Sequence, residues 1–140
     1  MFRKYITSRF MIPALLCLQI VPLVIFPLST YTLKTQEWWL PVLLALLTII
    51  SLVQILLRRS TASWPWYLLS FSQGFNIISR MMMLFPHATQ SGDGGAQVAN
   101  SAYIVVAFAA MLFSGFEIWY GELPEVRQKL ASRSGAKASA

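Results

Sequence analysis

The sequence predicts an all-α, polytopic integral membrane protein with four transmembrane helices and both termini in the cytoplasm. Charged residues make up 11% of the 140 positions and hydrophobic ones 56%, whereas soluble domains carry about a quarter charged residues. Four long runs, Phe10 to Leu33, Trp38 to Leu57, Trp64 to Phe85 and Val98 to Tyr120, hold only two charges, Arg80 and Glu117. At a rise of about 1.5 Å per residue, each is long enough for a hydrocarbon layer of roughly 30 Å. The basic residues are also distributed one-sidedly. With four spans, Arg3, Lys4, Arg9, Arg58, Arg59, Arg127, Lys129, Arg133 and Lys137 fall on one side, which the positive-inside rule makes cytoplasmic.

Residues 1–9 form a basic cytoplasmic start. The apolar run behind them is too long for the core of a cleaved signal and lacks an A-x-A-like site, so it reads as an uncleaved anchor. The first span, 10–33, contains Pro13, Pro22 and Pro27. Interior prolines remove backbone hydrogen bonds, so this helix is expected to be bent or locally unwound. Its freed carbonyls must then find partners inside the protein. Lys34 to Glu37 make a short link to the second span, 38–57, which makes the two antiparallel neighbours. Pro41 suits that helix's first turn.

The third span, 64–85, has Pro65 in its first turn, Ser63 placed to cap it and Pro86 just past its end. From Pro86 to Gln97 the chain reads as a flexible polar connection, with Gly92, Gly94 and Gly95 around Asp93. The fourth span, 98–120, is followed by Gly121 as a C-cap. The tail, 121–140, reads as one or two amphipathic turns over Glu122 to Leu130, then a disordered end. Trp38 and Trp39 fall at the outer boundary and Trp64, Trp66 and Trp119 at the inner one, as an aromatic belt requires.

Polar residues within the spans are the functional suspects. Gln73, Asn76 and Arg80 recur on one face of the third helix, with Ser70, Ser72, Gly74 and Ser79 close by. They are candidates, with Asn100, for contact with a lipid headgroup or a partner. The alternative is interhelical hydrogen bonding, with Arg80 reaching toward the interface. On the fourth helix Tyr103, Ala107, Ala110, Ser114 and Glu117 form a packing face, in which Ala110 and Ser114 are a small-xxx-small pair. Antiparallel pairing is expected to bring Asn100 level with Arg80. It should also set Glu117 at the inner interface, there to pair with Arg58 or Arg59. By helical rise Arg80 and Glu117 are then roughly 20 Å or more apart, which disfavours a proton relay.

Chemistry is sparse. The single cysteine, Cys17, and single histidine, His87, exclude disulfides, CxxC pairs, zinc sites and two-imidazole sites within one chain. Met81, Met82 and Met83 project in three directions and read as packing rather than a copper site. No catalytic motif, catalytic residue or metal site is expected, and no cofactor of the chain's own. The net charge of +6 is spread too thinly for a nucleic-acid face.

The function expected is that of a non-catalytic accessory or structural subunit of a larger membrane complex. Small helical subunits of this kind suggest a respiratory or photosynthetic electron-transfer assembly as host. Its partners are other integral membrane subunits and phospholipids, in the cell membrane, a bacterial cytoplasmic one. The alternative is a small oligomeric channel or transporter using the Gln73, Asn76 and Arg80 face.

Overall fold

The computed structural model describes residues 5, 6, 8, 10–25, 39–58, 62–91 and 97–138. Outside that set fall Arg3, Lys4, Arg9, Lys34, Glu37, Trp38, Arg59, the end of the first span with Pro27, and Gly92 to Gly95. Described residues are helical throughout except for short connections and one two-stranded hairpin.

The first run is a broken helix. Helix α1, Met11–Leu18, tolerates Pro13 in its opening turn and stops where Pro22 has no N–H to offer the Leu18 carbonyl. After Gln19 and Ile20 a second piece, α2, Val21–Val24, carries Pro22 near its start and ends as Ile25 turns extended. Helix α3, Trp39–Leu52, has Pro41 in its first turn and runs on through a π-helical turn, Val53–Leu57. The Arg58 N–H there donates to the carbonyl of Val53, five residues back, at 3.0 Å.

Helix α4, Trp64–His87, is longer than its apolar run, for Pro86 lies inside its last turn instead of beyond it. Ser63 stands at its N-cap, but the side chain makes no capping bond. The connection expected to be flexible is in part a hairpin. Strand β1, Thr89–Ser91, pairs antiparallel with β2, Gln97–Ala99, and the Asn100 N–H extends the ladder to the Ala88 carbonyl at 2.7 Å. Three-residue strands are too short to carry a legible alternation. Helix α5, Ser101–Glu122, starts where the Asn100 side chain accepts from the Tyr103 N–H, and it passes through Gly121 to cap at Leu123. Helix α6, Pro124–Ala138, is also longer than the one or two turns expected, and most of the end expected to be disordered is helical. Pro124 opens it and Glu125 favours its first turn.

Among the described residues, two helices are long and apolar enough to cross a membrane, Trp39–Leu57 at a mean hydropathy of 2.6 and Ser101–Glu122 at 1.8. Helix α4 has the length, but its stripe of serines, amides and Arg80 lowers the mean. It packs between α3 and α5, while α1 and α2 lean on α3 and α5. One apolar cluster gathers Ile6, Leu16, Ile55, Trp66, Tyr120 and Val126, and the Tyr120 hydroxyl donates to the Ile6 carbonyl at 2.7 Å. The start of the chain and the entry to α6 therefore share one end of the bundle. The hairpin lies at the other end.

Candidate functional site

The inward face of α4 carries Ser72, Gln73, Asn76 and Arg80, none more than 1% exposed. What brings them inward is the break in the first helix. A regular turn would close the Leu23 N–H on the Gln19 carbonyl, yet it bonds Ile20 at 3.1 Å. The vacant Gln19 carbonyl receives Gln73 Nε2 at 2.8 Å. The Pro22 carbonyl receives Asn76 Nδ2 at 3.3 Å and Arg80 Nη2 at 2.6 Å, and the same Nη2 reaches the Ile25 carbonyl at 2.6 Å. Side chains of α4 thus supply donors to backbone carbonyls around the break in the first helix.

This network is cross-braced. Arg80 Nε donates to Asn76 Oδ1 at 3.1 Å, and Asn76 Nδ2 donates to Ser114 Oγ on α5 at 2.9 Å. A planar guanidinium holds two carbonyls and an amide at once, which a lysine ammonium cannot do with the same geometry. Of the contact candidates, Gln73, Asn76 and Arg80 are directed at the first segment's backbone, and Arg80 points into the bundle instead of toward an interface. Asn100 caps α5. The five residues expected as the packing face of α5, Tyr103, Ala107, Ala110, Ser114 and Glu117, are all buried.

The pairing of α4 with α5 differs from the expected one. Ser70 bonds Glu122, Asn76 bonds Ser114, and His87 stacks on Tyr103 with ring centroids 5.1 Å apart. That register sets Arg80 beside Ala110, not Asn100, and sets Glu117 beside Gln73, well inside the helix ends. Arg80 and Glu117 are offset by only about 10 Å along the axis. The physical reason is that α4 runs on to His87 and the hairpin absorbs residues through Ala99, which slides α5 along its neighbour. No bond joins Glu117 to Arg58, one of its two expected partners, and Arg59, the other, lies outside the described residues. Near that end Arg127 pairs with Glu122 at 2.8 Å.

Glu117 faces Gln19 and Gln73 instead. A narrow seam with no room for a water molecule runs between α1, α4 and α5 and is lined by these three with Trp66, Ser70 and Gly121. The Gln19 amide lies against the Glu117 carboxyl without closing an aligned hydrogen bond, and Gln73 Oε1 has no partner among the described residues. Gln19 escaped the sequence reading. Its one signal was an amide in an otherwise apolar run, three positions before a proline.

No protein family, curated protein or solved structure matches the chain.

The functional reading therefore rests on the chain's own chemistry. Outside the buried polar network the surface is apolar: Phe85 is 87% exposed, Leu112 75% and Met82 72%. Met81 and Met82 both face outward, while His87 lies against Tyr103. Among the described residues, no three histidine, cysteine or acidic side chains come together as a metal site.

Proposed function

We propose that this chain is a four-span integral membrane protein, with both termini in the cytoplasm, that serves as a non-catalytic accessory subunit of a larger membrane assembly. The observation that carries this reading is the inverted distribution of polarity. Glutamine, asparagine, arginine, glutamate and serine side chains are buried between helices, while large apolar side chains cover the outside. Water would penalise such a surface, whereas lipid tails and neighbouring apolar helices are its natural surroundings. The gathering of both terminal segments at one end is what an even number of crossings requires.

Contact with phospholipid belongs to the same reading. Between α4 and α5 an open groove of about 560 Å³, lined almost wholly by apolar atoms of residues such as Phe85, Phe108, Leu112 and Gly115, suits an acyl chain. The host proposed is an electron-transfer complex of the cell membrane, the class in which small helical subunits of this kind serve. The rival reading, a channel or transporter lined by Gln73, Asn76 and Arg80, is disfavoured because their donors already hold the first segment.

Extraction in a mild detergent, then size analysis and mass spectrometry, tests the proposal. Heterologous membrane subunits in stable ratio to this chain are expected. A pure monomer or homo-oligomer, or substrate flux in vesicles containing the chain alone, overturns it.

A further inference from the structure

We infer that Glu117, Gln19 and Gln73 form a binding site for a single small monovalent cation, sodium, held between α1, α4 and α5. Three residues lining the seam carry four side-chain oxygens that close no aligned hydrogen bond among the described residues: two of the Glu117 carboxylate, Gln19 Oε1 and Gln73 Oε1. Against them stands one donor group, that of the Gln19 amide, which faces the Glu117 carboxyl, because Gln73 Nε2 is committed to the Gln19 carbonyl. All three residues are 1% exposed. Buried polar atoms without partners are costly, and an excess of acceptors is relieved by a positive ion, not by a further acceptor.

Charge and size select the ion. One carboxylate neutralises one monovalent cation, whereas a divalent ion would leave net charge in an apolar interior. Carboxylate and amide oxygens are hard donors that suit alkali and alkaline-earth ions over transition metals. The seam admits no water molecule, which favours a small dehydrated ion over potassium. The neighbouring guanidinium does not fill this role. Arg127 lies over Trp66 with 5.3 Å to the ring, paired with Glu122 and donating to the Gly121 carbonyl at 3.0 Å. Such a site joins α5 to the broken first helix on the Glu117 side, as Asn76 and Arg80 do farther along α4. It does not depend on the accessory role, since it is built from this chain alone.

The test uses the full chain, purified in mild detergent with whatever subunits accompany it, at fixed pH and with ionic strength held by N-methylglucamine chloride. Radioactive sodium should bind saturably at about one ion per chain, be displaced by unlabelled sodium or lithium and resist potassium. Saturating sodium should raise the thermal midpoint by about 5 °C over the same concentration of potassium. Glu117→Gln should lower the sodium bound by about tenfold or more, whereas Glu122→Gln should not. Absence of saturable sodium binding to the unaltered protein overturns the inference, as does equal protection by sodium and potassium or undiminished binding in Glu117→Gln. If Glu117→Gln fails to fold, the comparison of sodium with potassium on the unaltered protein decides. Loss of partner subunits without loss of sodium binding would count against the accessory role and leave the site standing.

Discussion

Arg80 is the residue on which most of the buried network converges. Its guanidinium meets two carbonyls of the first segment and the amide that also ties α4 to α5. Replacing it by Met keeps the length and removes the donors, leaving the Ile25 carbonyl without this partner and Pro22 with Asn76 alone. The expected loss is about 3 kcal/mol, read as a lower midpoint of thermal or denaturant unfolding in detergent, with Arg80→Lys in between. Ser114→Ala is expected to cost only about 0.6 kcal/mol, the average for one interhelical hydrogen bond in a membrane, because Asn76 Nδ2 keeps the Pro22 carbonyl. Equal effects from Arg80→Met and Ser114→Ala would show that the network does not centre on the arginine. The three-residue stripe was legible in the sequence by its spacing. Its target was not, because the carbonyls it serves belong to a segment more than fifty positions away.

At the level of elements, the protein couples a broken helix to an intact one. The break in the first run at Pro22 is compensated by the amides and guanidinium of α4, whose donors reach the Gln19, Pro22 and Ile25 carbonyls around it. Helix α6 is attached by a different means. Leu123 and Val126 enter the apolar cluster with Ile6 and Tyr120, and Arg127 bridges back to Gly121, Glu122 and Trp66. Val126→Asp buries a charge at a fully covered position, at a cost of about 3 kcal/mol or more. The expected result is faster cleavage by trypsin at Arg127 and Lys129, with the rest of the bundle still protected. Unchanged cleavage would mean that α6 is held by something other than this cluster. The extra length of α6 was hidden because its last residues are small or charged and carry no apolar period.

For the whole molecule, polarity is arranged inside out and both terminal segments meet at one end. The four-span reading with both termini inside predicts the outcome of labelling with a membrane-impermeant thiol reagent in a Cys17→Ser background. A cysteine at Gly94 should be labelled in intact cells, and one at Ser134 only after the membrane is opened. The opposite pattern, or labelling of both in intact cells, would reverse or break the topology.

Composition and run length alone determined that this chain is helical and apolar, because those properties depend on each residue's own transfer energy and on a period that local sequence displays. The inward face of α5 was legible for the same reason. Tertiary structure alone decided the register between α4 and α5, which a hairpin without a sequence signature sets by sliding one helix along the other. It thereby decided that Glu117 stands beside Gln19 and Gln73 instead of Arg58. That a proline breaks the first helix can be read from the chain, but which carbonyls around the break receive donors, and from where, depends on how distant helices are brought together.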